Sequence, residues 1–215
     1  MKKTVSRWIY LSVYIAIIVG MILVNLLSGL PYQIVYCIVR PLYHIVPVIA
    51  IICTCKKISQ NHVNFKDEIK KILKEFERFI FEIPIVLFIE TMLFYLYSQN
   101  VSINEVINRE YFKNSPLAFA MLAVIIGPII EETIFRYLPH QFIKNKKIYI
   151  IVSAFIFSMM HCTGSFNDLI YIPMYLPSSL YFAYKYYKTE DVFVTIAMHS
   201  FINFIAVIQL LIRWS

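Results

Sequence analysis

Apolar stretches close to the length of a membrane span dominate this chain and restrict it to folds that bury them in lipid. A transmembrane helix needs about 20 mainly apolar residues. The 215-residue sequence is 60% hydrophobic and 15% charged, whereas a soluble domain is about 45–50% apolar and about 25% charged. The pattern predicts an all-α, polytopic transmembrane helical bundle of about seven spans. Their predicted bounds are 8–27, 34–55, 79–97, 116–138, 148–165, 169–187 and 192–212.

Basic residues lie mainly in the segments that join these stretches. A formal charge of +7 could indicate a nucleic-acid partner, but its distribution follows the positive-inside rule instead. The sequence therefore predicts a multi-pass protein of the cell membrane, embedded in the lipid bilayer, with a cytoplasmic N-terminus, an external C-terminus and no nucleic-acid partner. The inner segments carry Lys2, Lys3, Arg7, the basic residues of 56–78, Lys144, Lys146, Lys147, Lys185 and Lys188, and the outer ones carry Arg109, Lys113 and Arg213.

Two joining segments have helical patterns of their own. Segment 61–80 predicts an amphipathic helix on the inner leaflet that runs into the third span. Ser102 and Glu105 have capping-box spacing and predict a short helix on the outer side. No linker rich in Gly, Ser or Pro divides the chain, so the N-terminal helices in 1–100 and the core in 101–215 are expected to form one integrated unit. The apolar residues of the amphipathic segment are Phe65, Ile69, Ile72, Leu73, Phe76 and Ile80.

Charged and polar side chains inside a membrane span are costly, and they are therefore candidates for function. One further carboxylate, Glu90 on the third span, is expected to pair with Arg40 or Arg136 rather than to take part in catalysis. The candidates concentrate on three spans: Glu131, Glu132 and Arg136 on the fourth, His161 on the fifth, and His199 with Asn203 on the seventh.

Helical spacing sorts these side chains by direction. Glu132 and Arg136 are four positions apart, so they share a helix face and can form an ion pair. Glu131 points about 100° away from Glu132, which leaves one carboxylate as a structural partner and the other free for chemistry. The same spacing of four joins His199 with Asn203 and Phe157 with His161.

Depth in the membrane is compatible with a shared site. At a rise of 1.5 Å per residue, Glu131 lies about 10 Å and His199 about 12 Å from the predicted cytoplasmic ends of their spans, and His161 lies about 20 Å from its own. We therefore expect the three side chains to meet in the inner half of the membrane, in a site that opens toward the cytoplasm.

Three short motifs carry a family resemblance. "EETIFR" at 131–136 reads as E-E-x-x-x-R, "FSMMH" at 157–161 as F-x-x-x-H, and "HSFIN" at 199–203 as H-x-x-x-N. In this order on separate helices they resemble the CPBP family, which comprises CAAX prenyl proteases of the Rce1 type and bacteriocin-processing (Abi) membrane peptidases. The resemblance covers about residues 116–212 and implies that 101–215 is the catalytic core. The first hundred residues match no motif of the family.

The resemblance implies an intramembrane endopeptidase that cleaves a peptide or a membrane-tethered protein tail. Glu131 would be the general base that activates a water, and His161 would help to position that water or share its proton. His199 and Asn203 would donate hydrogen bonds to the oxyanion, where a preorganised donor is typically worth about 3 kcal/mol. Supporting roles would fall to Glu132 and Arg136, which hold the fourth helix, and to Phe157, which forms an apolar wall under His161.

Three alternatives stay open. No cofactor is expected, but Glu131, His161 and His199 could bind zinc with an open position, although no H-E-x-x-H motif is present. Cys162 beside His161 could be a thiol nucleophile, but adjacent helical residues point about 100° apart, so His161 is a poor base for it. The polar set could also belong to a non-catalytic membrane protein that binds a peptide, confers immunity or regulates a partner.

Overall fold

The computed structural model describes residues 11–12, 14–19, 65–97, 101–162 and 166–214. The described residues are helical with no strand, which confirms the predicted all-α class. The predicted second span and Arg40 lie outside the described residues. The helices are α1 (Phe65–Leu96), α2 (Ile103–Asn114), α3 (Pro116–Phe142), α4 (Lys146–Met160), α5 (Ile172–Thr189) and α6 (Val192–Trp214), with a 3-10 helix at Phe166–Tyr171 before α5.

Three of the described helices are long and apolar enough to cross a membrane: Phe65–Leu96, Pro116–Phe142 and Val192–Arg213. They correspond to the predicted third, fourth and seventh spans. The predicted fifth span is shorter than expected, because α4 has 15 residues and ends at Met160, which gives it a length of about 22 Å against a hydrocarbon core of about 30 Å. The predicted sixth span appears as the 18-residue helix α5, which contains Pro177 and a buried lysine.

Helix α1 joins the predicted amphipathic segment and the third span in one helix of 32 residues. Its apolar stripe divides between two environments. Ile72 and Phe76 pack on a core cluster built around Phe79, whereas Phe65 and Leu73 are exposed. The inward side of α1 thus packs against α5 and α6, and the remaining apolar side chains are left for the bilayer.

Polar contacts also join α1 to the end of α5. Lys185 has a fully buried side chain, and its Nζ lies 2.6 Å from Glu82 Oε2 and 3.5 Å from Glu75 Oε2. Lys71 forms a second ion pair with Asp191, in the turn between α5 and α6. The sequence counts Lys185 among the basic residues of the cytoplasmic side, and in the structure its charge is paired with carboxylates of α1 inside the helix bundle.

Glu90 accepts a hydrogen bond from the backbone of α5. Its Oε1 accepts a hydrogen bond of 3.0 Å from the backbone N–H of Ser178, directly after Pro177 in α5. Arg136 pairs with Glu132 instead, so the predicted pairing of Glu90 with Arg136 is wrong. Glu90 therefore fixes α1 to α5 through a backbone donor.

The predicted helix start at Ser102 is confirmed, with Ser102 as the N-cap of α2. Ser102 Oγ accepts a hydrogen bond from the N–H of Glu105 at 3.3 Å. The N–H of Ile103 donates to both oxygens of Asp168, at 3.0 and 3.2 Å. Because Asp168 is buried in the 3-10 helix, the beginning of α2 is held against the element that leads into α5.

The ion pairs of Lys185 generate a prediction on stability. In Lys185→Ala, Glu75 and Glu82 lose their shared buried cation, so we expect the thermal midpoint in detergent to fall by about 5 °C. Lys188→Ala is the matched control, because Lys188 lies on the same helix with an exposed side chain. Equal midpoints for the two variants, measured by thermal unfolding, would contradict the assignment of Lys185 to the bundle interior.

Candidate active site

Two π-helical turns shape α3 on either side of its carboxylates. They span Leu122–Ile126 and Thr133–Tyr137. In each, an N–H donates five residues back, from Gly127 to Leu122 and from Leu138 to Thr133, and a proline follows directly. A proline ring clashes with the carbonyl four residues before it, and a π turn adds the residue that makes room. Turns of this kind occur often at functional sites.

The prolines leave backbone carbonyls of α3 without helical donors, and side chains from other helices supply them. Phe135 O would normally accept from residue 139, but Pro139 has no N–H, and Ser153 Oγ donates to it at 2.5 Å. Ala123 O loses its usual donor because the N–H of Gly127 donates to Leu122 O instead. Asn203 Nδ2 donates to Ala123 O at 2.8 Å and replaces that donor. Each π turn thereby becomes a docking point for a neighbouring helix.

Gly127 is required where the first π turn closes. A Cβ at this position would lie 3.0 Å from the carbonyl oxygen of Leu122 and 3.7 Å from Glu131 Oε1. The first distance is tighter than ordinary van der Waals contact. The missing side chain therefore lets the turn form and leaves space beside the carboxylate of Glu131.

Glu132 is a carboxylate with no exposed surface, and two groups balance its charge. Arg136 Nε lies 3.6 Å from its Oε2, which confirms the predicted ion pair, and His199 Nδ1 lies 2.9 Å from its Oε1. A buried carboxylate is strongly destabilising unless it is paired and hydrogen-bonded. Glu132 therefore fixes His199 of α6 against α3.

Arg136 is likewise buried, and its guanidinium is divided among several acceptors. Besides its ion pair with Glu132, it donates hydrogen bonds to Ser153 Oγ at 3.3 Å and to Ser179 Oγ at 3.1 Å. Its guanidinium carbon lies 4.6 Å from the centre of the Phe157 ring. This one side chain thus connects α3 to α4 and α5, where a lysine could not make the same set of directed contacts.

Glu131 points to a different environment from Glu132, as its position on the helix predicts. Its side chain is 29% exposed, while that of Glu132 is fully buried. Glu131 Oε2 lies 3.6 Å from His199 Nε2 and 3.9 Å from His161 Nε2. The structure thus brings the carboxylate and both imidazoles together, as the sequence predicts.

Both imidazoles have Nε2 directed at Glu131 because Nδ1 is held elsewhere. His161 Nδ1 lies 3.0 Å from the carbonyl oxygen of Phe157, and His199 Nδ1 faces Glu132. A carbonyl cannot donate, so Nδ1 of His161 must carry the proton, and its Nε2 is then an acceptor in the neutral ring. The partners at Nδ1 therefore set which atoms face Glu131.

Aromatic rings fix the planes of the two imidazoles. The ring of His161 lies 4.4 Å from that of Phe157, as the predicted apolar wall requires, and 5.2 Å from that of Tyr175. His199 stacks on Phe182 with ring centres 5.4 Å apart and an angle of 20°. Tyr175 and Phe182, both on α5, are neighbours that the motifs do not include.

Asn203 has a use that its spacing does not reveal. It shares the face of His199, as predicted, but one amide N–H is bound to Ala123 O. Its predicted donation to an oxyanion would depend on the second N–H.

The contact between His199 and Glu132 also goes beyond the sequence prediction, because spacing assigned Glu132 to Arg136 alone. An adjacent carboxylate pair and a histidine with two ring nitrogens are the only signals in the sequence for this bridge.

The alternatives to a glutamate base can be compared with this geometry. Glu131, His161 and His199 offer one carboxylate and two Nε2 atoms to the same space, but among the described residues no group of three His, Cys, Asp or Glu side chains is placed to hold a metal ion. Cys162 is a free cysteine whose side chain is fully buried. This burial disfavours the thiolate that a cysteine nucleophile needs.

Ser153 provides a test of the proline-driven contacts. Ser153→Ala removes the short hydrogen bond to Phe135 O, which keeps only a 3.5 Å contact with Arg136, and it removes an acceptor of Arg136. We therefore expect a loss of about 1–3 kcal/mol in the free energy of unfolding and a lower thermal midpoint. Ser158→Ala is the matched control on α4, because Ser158 is equally buried but donates to Ala154 O, which also accepts from Ser179. A midpoint for Ser153→Ala no lower than that of the control would contradict this account.

Comparison with known proteins places the site in a family. Residues 113–205 match the family described as "Type II CAAX prenyl endopeptidase Rce1-like". The matched segment contains all three motifs and every residue of the site described above. No solved structure matches the chain significantly.

Curated relatives match parts of the same chain. The UPF0177 protein YajF of Lactococcus lactis is 37% identical over 68 residues, which are 32% of this chain and 32% of YajF. The protein named "Putative membrane peptidase YdiL" of Bacillus subtilis is 30% identical over 94 residues, which are 42% of this chain and 36% of YdiL. The chain thus spans only about a third of the length of these relatives. The motifs, their placement and the family match agree that the segment from residue 113 to residue 205 is similar to the Rce1-like family, as the resemblance to the CPBP family predicts.

Proposed function

We propose that this chain is a membrane-embedded endopeptidase in which Glu131 activates a water for attack on a peptide carbonyl. The observation that carries the proposal is the partly exposed carboxylate of Glu131, which faces Nε2 of two imidazoles while Glu132 beside it is buried and paired. One carboxylate is thus committed to structure and the other is accessible. The family match and the name of YdiL support a peptidase activity.

The proposed reaction needs no covalent intermediate. Glu131 takes a proton from water as the water oxygen bonds to the peptide carbonyl carbon, and the carbonyl oxygen becomes the oxyanion. The C–N bond then breaks, and the proton held by Glu131 passes to the leaving amine. His161 Nε2 is placed to accept a hydrogen bond from the same water, since its Nδ1 proton is bound to the Phe157 carbonyl.

Stabilisation of the oxyanion falls to α6 in this scheme. His199 donates from Nε2 when its ring carries two protons, because Nδ1 is directed at the carboxylate of Glu132 and holds a proton there. Asn203 contributes its second amide N–H, while the first holds it to Ala123 O. Both donors sit on a rigid helix fixed to α3, and such preorganisation is what makes transition-state hydrogen bonds effective.

The substrate is proposed to be a peptide or a membrane-tethered protein tail that reaches the site from the cytoplasmic side. This orientation rests on the distribution of Lys and Arg between the joining segments. A buried site inside a helical bundle favours an extended peptide over a folded chain, because only an unfolded backbone can bring its carbonyl to Glu131.

The main test is cleavage of a library of membrane-anchored and free peptides by the purified chain, with mass spectrometry to locate the scission. Glu131→Gln keeps size and hydrogen bonding but removes the base, so we expect cleavage to fall by about 10²–10⁴-fold with an unchanged thermal midpoint. Glu77→Gln, at an exposed position of α1, is the matched control. Wild-type cleavage by Glu131→Gln would refute the proposal, and a folded wild type without cleavage of any peptide would favour a non-catalytic binding protein.

Metal dependence is tested separately, because the same three side chains could serve a zinc-dependent peptidase. We expect 1,10-phenanthroline to leave cleavage by the purified chain unchanged, since a carboxylate can activate water directly. Loss of cleavage with the chelator and its recovery on addition of zinc would instead support the zinc-dependent version, with Glu131, His161 and His199 as ligands.

A further inference from the structure

His161 occupies a position where the helix backbone alone does not hold its ring. It is the C-cap of α4, with φ −82° and ψ −6°, and the chain leaves the helix at this residue. Nδ1 of its ring is hydrogen-bonded to Phe157 O. A ring at a helix end needs lateral contacts to keep Nε2 directed at Glu131.

Tyr175 supplies such a contact from the first turns of α5. Its ring centre lies 5.2 Å from that of His161, with an angle of 36° between the planes. On the other side of the site, Phe157 is four residues before His161 and approaches the same ring at 4.4 Å. Because Tyr175 belongs to a separate helix, its ring can restrict the orientation of the His161 imidazole independently of α4.

The hydroxyl of Tyr175 is itself anchored. It lies 2.6 Å from Ser102 Oγ, a short hydrogen bond in which either atom can be the donor. Ser102 is almost completely buried and caps α2 through the N–H of Glu105. The next residue, Ile103, is bound to the buried Asp168. Two polar contacts therefore fix the first turn of α2 over Tyr175.

We infer that Tyr175 is a positioning residue for His161 and that Ser102 holds it in place, so that α2 forms part of the active site. This inference rests on the proposed function. Tyr175 acts through His161. The ring of Tyr175 limits rotation of the imidazole, and the hydroxyl of Tyr175 is held by its hydrogen bond to Ser102, the N-cap of α2. Helix α2 lies almost entirely before the segment that matches the family, which begins at residue 113, and it contains none of the three motifs.

The test compares kcat and KM of peptide cleavage for variants of Tyr175. Tyr175→Leu removes the ring, so we expect kcat to fall by about 10–100-fold, the loss typical of a misdirected catalytic group, with KM changed less than about threefold. Tyr175→Phe keeps the ring and should restore most of that loss. Tyr184→Leu is the matched control, because Tyr184 is an exposed tyrosine on the same helix. Wild-type kcat in Tyr175→Leu, or a loss no larger than in the control, would overturn the inference.

The link to Ser102 has its own readout. Tyr175→Phe and Ser102→Ala remove the same hydrogen bond, so the double variant should be no slower than the slower single variant, whereas independent effects would multiply. Ser115→Ala is the control for α2 capping, since Ser115 precedes α3 without a side-chain capping bond. Multiplying losses, or no loss in Tyr175→Phe, would overturn the role of Ser102. Because both variants are conservative, this cycle decides the question even if Tyr175→Leu does not fold.

Failure of this inference is distinguishable from failure of the proposed function. If Glu131→Gln abolishes cleavage and Tyr175→Leu cleaves normally, only the positioning role is wrong. If Glu131→Gln cleaves normally, the catalytic assignment itself is wrong. Binding of an uncleaved peptide to Glu131→Gln and to Glu131→Gln/Tyr175→Leu completes the comparison, and equal affinities are expected because Tyr175 acts on the reaction step.

Discussion

The buried charge of Glu132 imposes the condition on which the arrangement of this bundle depends. A carboxylate without any exposed surface inside an apolar helix is strongly destabilising unless cations or donors surround it. Arg136 meets part of that requirement from the same helix, and His199 meets the rest from α6. Because Arg136 in turn needs acceptors, Ser153 of α4 and Ser179 of α5 are drawn to the same centre. One charge thus organises four helices.

The contrast between two adjacent carboxylates explains how structure and chemistry share one helix. Glu132 is buried and its charge is balanced by Arg136 and His199. Glu131, the preceding residue, points in another direction and its side chain is partly exposed. His199 links them, with one ring nitrogen directed at each. The π turns preceding Pro128 and Pro139 add docking points for Asn203 and Ser153, so the helix that carries the carboxylates is fixed at both ends of the site.

Much of this could be predicted from residue spacing, because spacing of four on a helix places two side chains on one face. The pair of Glu132 and Arg136 follows from it directly, whereas the all-α class follows from the long apolar stretches. Spacing does not reveal which distant helix a face meets, so the bridge from Glu132 to His199 was missed. Lys185 was interpreted as a topology signal for the same reason, since its partners Glu75 and Glu82 lie about a hundred residues away. Apolar runs also cannot show where a helix stops, and α4 ends at Met160, before the predicted limit of its span.

The proposed mechanism requires that the carboxyl group of Glu131 lies beside both imidazoles when the protein is in lipid. The most direct measurement is an experimental structure of the wild-type chain in lipid nanodiscs, at a resolution that defines side chains. We expect Glu131 Oε2 within about 4 Å of Nε2 of both His161 and His199, with Glu132 enclosed between Arg136 and His199. Density that turns the carboxyl of Glu131 toward the acyl chains, or that separates the two imidazoles onto different faces of the bundle, would contradict it.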